Sequence, residues 1–151
     1  MAWTSLRVYK GNEPVWQPGQ QPAVTSLNSG PAALLDSGST LSHVPQDVLN
    51  LLVSLFDVTQ TANSDGLYVG PCANANEDIS IEFGFGNGAA SISVPASQMF
   101  RPYDTAGEVC ALGFNATTSL PYILGDTFLT SAYLVYDFDA YTISMAQAKW
   151  T

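Results

Sequence analysis

The sequence is short of charge, and shortest of positive charge. Only 11% of its 151 residues are Asp, Glu, Lys or Arg, with 4 bases against 13 acids and a single histidine. An ordinary globular domain carries about 25% charged residues, so surface polarity here must come largely from Ser, Thr, Asn, Gln and Gly. A net charge of −9 argues against nucleic acid and anionic membrane surfaces as partners, since both call for basic patches. An acid-rich surface sheds its self-repulsion as carboxylates protonate, which fits work in an acidic medium. No run approaches the ~20 apolar residues of a membrane span. No signal peptide is evident either: Met1-Ala2-Trp3 runs straight into an apparent strand, so Met1-Ala2 reads as an expression start. Cysteine is scarce. Cys72 and Cys110 permit one bridge, worth roughly 4 kcal/mol on the chain-entropy model, or stand as two buried free thiols. With the lone His43 they cannot supply a tetrahedral metal site, and no metal or other cofactor is implied.

What is present is enough for a core. A chain of this length suits one domain, residues 1–151, and buries roughly 68–70% of its unfolded surface. Short alternating runs broken by Gly, Pro, Asn and Asp predict an all-β fold with one or two short helices. Strands are expected at residues 3–9, 23–27, 32–35, 66–69, 79–83, 90–94, 122–124, 133–138 and 141–146. Asn87-Gly88 meets the positive-φ demand of a tight hairpin between 79–83 and 90–94, and the final pair is expected to turn at Asp139-Ala140. Residues 13–21, rich in Pro, Gly and Gln, read as an exposed loop. Residues 45–56 break the rhythm: Pro45 suits a first helical position, and apolar residues at 48, 49, 52, 53 and 56 form a helical face. Further helical turns are expected within 95–100 and 126–131. A weak echo links Leu34-Leu35-Asp36-Ser37-Gly38 with Ile123-Leu124-Gly125-Asp126. In each, two apolar residues lead to a turn and then a helical segment, which hints at an internal pseudo-two-fold.

The motif that carries chemistry is Ala33-Leu34-Leu35-Asp36-Ser37-Gly38-Ser39-Thr40. An Asp-Ser-Gly triplet alone is often a surface turn, because all three residues favour turns. Here apolar residues lead directly into the acid, which places a carboxylate at the end of a buried strand. A Ser-His-Asp site would need a Gly-x-Ser-x-Gly elbow, which is absent; His43 is instead expected as a polar residue in the turn before the helix. Asn115-Ala116-Thr117 is an N-glycosylation acceptor triplet, expected in a loop.

Residues 34–39 resemble the active-site signature of the pepsin-like aspartic proteases: two apolar residues, then Asp-Thr/Ser-Gly-Ser/Thr. Tyr122-Ile123-Leu124-Gly125-Asp126-Thr127-Phe128-Leu129 resembles the family's apolar–apolar–Gly strand, which threads beside the aspartate loop. Ala132-Tyr133-Leu134-Val135-Tyr136-Asp137-Phe138 resembles its closing strand, with the chain ending where the family's enzymes end. Cys72 and Cys110 fall where the carboxy-terminal lobe of that family carries a disulfide, and Tyr68-Val69-Gly70-Pro71-Cys72 looks like the strand entering it. The amino-terminal lobe would show a flap hairpin bearing a Tyr, and nothing between Gln60 and Asn76 looks like one. The resemblance therefore implies the carboxy-terminal lobe of a bilobal enzyme, a barrel-like double-psi sheet.

The resemblance also implies roles. Peptide hydrolysis in this family uses a water held between two aspartates; two carboxylates in contact cannot both ionise, so the pair shares one proton. Asp36 would be one of the pair, oriented by the Gly38 N–H and the Ser39 hydroxyl. Ser37 would reach across to the opposite lobe, and Tyr122 and Ile123 would lie near substrate pockets. No second Asp-Thr/Ser-Gly exists in the chain. Asp126 is expected to be structural, and Asp57, Asp65, Asp78 and Asp104 to sit solvated in turns. The expected partners are a missing amino-terminal lobe and a polypeptide substrate. Residues 3–9 and 133–146 are the candidates for an inter-lobe sheet, whose exposed face would favour dimerisation of an isolated lobe. The isolated chain is expected to be inactive. One rival is a homodimer resembling the retroviral proteases; another is a non-catalytic peptide-binding lobe. A secreted or vacuolar location is expected, and the Lys-poor, Ser-, Thr- and Gln-rich composition suggests a fungal source.

Overall fold

A computed structural model describes residues 2–15, 25–26, 32–62, 66–119 and 121–149. Strands dominate, as the alternation predicts, and they fall into four sheets. The first has β1 (Trp3–Lys10) at its centre, flanked by β2 (Glu13–Pro14), β3 (Thr25–Ser26) and β8 (Ile79–Phe85), with β9 (Ala90–Pro95) at the edge beyond β8. The second runs β10 (Phe100–Pro102), β11 (Val109–Leu112), β7 (Tyr68–Pro71), β6 (Thr59–Gln60). The third runs β12 (Phe114–Ala116), β5 (Ser42–Val44), β13 (Tyr122–Leu124), β4 (Ala33–Leu35). The fourth is the hairpin β14 (Ala132–Asp137) and β15 (Thr142–Gln147). Among the described residues the strands form these four sheets, and no ladder closes one on itself. No helix among them is long and apolar enough to cross a membrane.

The core lies where the first and third sheets meet. Trp3 and Phe83 from the first sheet, Phe114 from the third and Phe128 from the last helical turn are fully buried. Phe83 packs edge-on to Phe128 at 5.2 Å and stacks on Phe114 at 6.3 Å, offset geometries that favour aromatic pairs. Trp3, Leu6 and Val8 all point inward along β1. That strand is bonded on both edges within this chain, to β2 and β3 on one and to β8 on the other.

The helix α1 (Gln46–Phe56) begins one residue after the expected Pro45, which takes the N-cap position. It buries Val48, Leu49, Leu51, Leu52 and Phe56, and ends where Asp57 adopts φ 48°. Its final carbonyl, on Phe56, accepts the Asn74 side-chain amide at 2.7 Å, which satisfies one of the acceptors every helix end leaves open. The shorter α2 (Ala96–Met99) and α3 (Asp126–Leu129) fall inside the other two expected helical stretches. The 86–88 turn carries Asn87 at φ 56°, as the hairpin requires.

Six strands escape the alternation pattern: β2, β5, β6, β10, β11 and β12. His43 lies in β5 and not in a turn, and Asn115 lies in β12 and not in a loop. Residues 13–21 are not wholly loop, since Glu13–Pro14 pairs with β1; residues 16–21 lie outside the described residues, as do parts of the expected 23–27 strand. Thr59–Gln60 and Tyr68–Pro71 pair antiparallel, so a short hairpin bearing Tyr68 does exist between Gln60 and Asn76. Tyr68 packs against the core, and β7 is held to β11 rather than standing free.

The cysteines resolve to a bridge: Cys72–Cys110, 38 residues apart, pins the 3-10 turn Cys72–Asn76 to β11. Replacing both with Ser is expected to lower unfolding free energy by roughly 4 kcal/mol through lost loop constraint, measured as a fall in denaturant midpoint.

Candidate active site

The third sheet positions the acid. β13 runs parallel to β4, with Tyr122 opposite Ala33, Ile123 opposite Leu34 and Leu124 opposite Leu35. On its other side β13 meets β5 antiparallel through Ile123 and His43, and β5 in turn lies parallel to β12. A two-fold axis through the Ile123–His43 contact would generate this order and these directions. The repeat it relates is β5–α1 with β13–α3, so the internal echo is real in the sheet but pairs different segments from those the motif similarity suggests.

Leaving β4, the chain makes a tight loop from Asp36 to Leu41 that wraps the end of β13. Asp36 N–H donates to Leu124 O at 3.1 Å and Asp126 N–H donates to Ser39 O at 2.8 Å. Gly125 N–H donates to the buried Ser42 Oγ at 3.1 Å, and Thr127 Oγ1 to Thr40 O at 3.2 Å. The crossing is so close that a Cβ on Gly125 would collide with the backbone carbonyl oxygens of Ser39 and Leu41. Glycine is required here by proximity, the role it plays wherever backbones must approach.

Within the loop, Gly38 N–H donates to Asp36 Oδ1 at 2.9 Å, as the resemblance implies. The Ser39 hydroxyl donates to Leu41 O at 2.8 Å, a bond that braces the loop. Asp36 is half-buried, while Ser37 and Gly38 are exposed. Among the described residues Oδ2 of Asp36 has no hydrogen-bond partner, which leaves one carboxylate oxygen open to a water or a second acid.

Strand alternation sorts the neighbours. Tyr122 shares its face with the fully buried Leu124 and sets its ring edge against Trp3 at 5.5 Å. Tyr122 is half-buried and packs at the edge of the core. Ile123 occupies the opposite face beside Leu34, which is 48% exposed, and continued alternation places Asp36 on that same face. The motif asks of Leu34 only that it be apolar, and it does not reach Ser42. Leu34 reads simply as strand filler, and the only signal for Ser42 is a small polar residue between Leu41 and Val44.

The other acids behave as expected of turn residues. Asp57 ends α1, the Asp78 carbonyl accepts Gly11 N–H at 2.6 Å, and Asp104 Oδ1 accepts the N–H groups of Gly107, Glu108 and Val109. Asp65 lies outside the described residues. Asp126 opens α3, where a carboxylate complements the helix N-terminus.

A family profile described as eukaryotic aspartyl protease matches residues 19–148. Among curated proteins the chain is similar to Candidapepsin-3 of Candida albicans, 42% identical over 132 residues, and to Barrierpepsin of Saccharomyces cerevisiae, 36% identical over 117. It is also similar to Secreted aspartic protease 9 of Candida albicans, 40% identical over 129 residues. These alignments cover 83%, 78% and 83% of this chain but only 32%, 19% and 23% of the relatives, so the chain spans a third or less of the length of these relatives.

The Gly125 crossing can be tested directly. Gly125→Ala is expected to cost about 3 kcal/mol or more, because backbone carbonyls cannot swing aside as a side chain could. The check is the denaturant midpoint at unchanged m-value.

Proposed function

The chain belongs to the eukaryotic aspartyl protease family, and on that premise we propose that it is the carboxy-terminal lobe of a bilobal endopeptidase acting at acidic pH. It contributes Asp36 as one of two catalytic aspartates, and the second comes from an amino-terminal lobe. The observation that carries this reading is the Asp36 loop. Its carboxylate is held by the Gly38 N–H at the rim of the lobe with one oxygen open, on the face shared with Leu34 and Ile123.

In this reading, Asp36 and its partner hold a water between them, one carboxylate taking the water's proton while the other, protonated, hydrogen-bonds the scissile carbonyl. Ser37, exposed at the loop tip, reaches the opposite loop. Leu34 and Ile123 present an apolar wall to a substrate side chain. The terminal hairpin supports the need for a second lobe: Tyr133, Phe138 and Tyr141 are 66%, 83% and 94% exposed, an extent of uncovered aromatic surface that marks an interface. The relatives' names include secreted proteases, which supports secretion of this protein. Asn115, part-exposed on the sheet-edge strand β12, would then be the glycan acceptor.

The test is acid peptidase activity, near pH 3–5 where such dyads operate, with this chain alone and with the amino-terminal portion of Candidapepsin-3 supplied in trans. The chain alone is expected to be silent. The mixture is expected to cleave peptide, and Asp36→Asn in this chain to abolish that cleavage. Turnover by the chain alone that needs Asp36 and rises with the square of concentration would replace the bilobal reading with a symmetric dimer. Turnover in the mixture that survives Asp36→Asn would remove Asp36 from the chemistry.

A further inference from the structure

The hairpin β14–β15 is joined to the rest of the lobe in an indirect way. β15 lies alongside β9, the edge strand of the first sheet, yet no strand ladder links them. At one end a groove of about 420 Å³, lined by residues including Ala2, Phe85, Ala90, Ile143 and Met145, keeps the two apart. At the other end the gap is closed by one side chain. Ser93 N–H donates to Gln147 Oε1 at 2.7 Å, and Gln147 Nε2 donates back to Ser93 O at 2.9 Å. A primary amide has one acceptor and two donors, so it reproduces the paired bonds a neighbouring strand would make to an edge residue. The same Nε2 donates to Ser131 O at 3.1 Å, a carbonyl that also accepts Ala148 N–H at 2.9 Å. Ser131 sits where α3 gives way to β14. One carboxamide therefore ties together the sheet edge, the start of the hairpin and its end.

We propose that Gln147 is the joint that fixes the stance of the terminal hairpin on the lobe. It is a positioning residue for the docking of the other half of the enzyme, and that last role rests on the lobe assignment above. A two-stranded hairpin is marginal by itself in water, so its geometry depends on how its base is held. Leu134 and Met145 are half-buried at that base, while both faces near the tip are open. Packing alone therefore constrains the base without setting the angle along β9.

The joint can be made conditional on protonation. An ionised Glu at position 147 accepts from Ser93 N–H but can donate to neither Ser93 O nor Ser131 O; a protonated Glu regains one donor. Neither β9 nor β15 contains Asp, Glu, Lys, Arg or His, and the one carboxylate of β14, Asp137, lies at the far end of the hairpin. The charged groups nearest the joint, Glu82 opposite Ser93 with its partner Arg7, and Lys149 two residues beyond position 147, are common to the native chain and both variants, so a pH response peculiar to Gln147→Glu reports the introduced group.

The experiment measures amide hydrogen-exchange protection factors in this chain for the native protein, Gln147→Leu and Gln147→Glu. It is run near pH 3, below the ordinary Glu value of about 4.3, and near pH 7. Gln147→Leu is expected to lower protection at Ser93 and through the hairpin by roughly tenfold, the loss of a typical hydrogen bond, with β1 and β8 unchanged. Gln147→Glu keeps the acceptor for Ser93 N–H at both pH values, so Ser93 protection is expected to persist; through the hairpin it is expected to lie nearer the native chain at pH 3, where one donor returns, and to fall toward the Leu variant at pH 7. Native protection in Gln147→Leu, or equal losses for Gln147→Glu at both pH values, would overturn the joint. If the Leu variant fails to fold, the Glu variant decides alone. Peptidase activity plays no part in the readout, so a failed joint and a failed lobe assignment are told apart.

Discussion

Two stretches of backbone cross at Gly125 with no space for a side chain between them, and the arrangement of the site follows from that crossing. The Asp36 loop can wrap the end of β13 only because position 125 offers bare backbone to the carbonyls of Ser39 and Leu41. Once the loop is wrapped, hydrogen bonds from residues 125–127 reach Ser39, Thr40 and Ser42, and Asp36 N–H is tied to Leu124 O. The carboxylate is thereby held by elements buried in the core, although it lies at the rim. Placing a reactive group on such a rigid support is the usual way to keep its geometry within working tolerance.

The structure separates a closed interior from an exposed aromatic hairpin. Trp3, Phe83, Phe114 and Phe128 join the first and third sheets through ring contacts, while the disulfide and the Asn74 cap secure the 72–76 turn beside α1. The aromatic residues of the terminal hairpin take no part in this. Tyr136 and Phe138 stack on each other at 6.5 Å, and the tip faces solvent.

Legibility in the sequence followed element length and locality. β1, β8, β9, β14 and β15 run six to eight residues, long enough for a period of two to show, and α1 declares itself by its 3.6-residue stripe. β5 and β12 are three residues long, too short to display any period, and their strand character comes wholly from neighbours far away in the chain. That is why His43 and Asn115 read as turn and loop. Asp36 was legible because its motif is contiguous. The bond from the Ser39 hydroxyl to Leu41 O was not legible, because which acceptor takes a hydroxyl proton depends on the loop's path and not on its composition. The face that Tyr122 takes was not legible either, because Tyr tolerates either face of a strand and the ring contact with Trp3 decides between them.

The crossing at Gly125 also has a consequence in time. The residues that grip the Asp36 loop are 83 and 87 positions downstream of their partners. Contacts so distant in sequence form late, since the entropy of closing the intervening chain must be overcome first. During synthesis the aspartate emerges long before the strand that threads past it. Until that strand arrives, the loop has no frame and the acid no fixed direction. The loop therefore takes its shape only once the strand 83 residues further on is in place to support it.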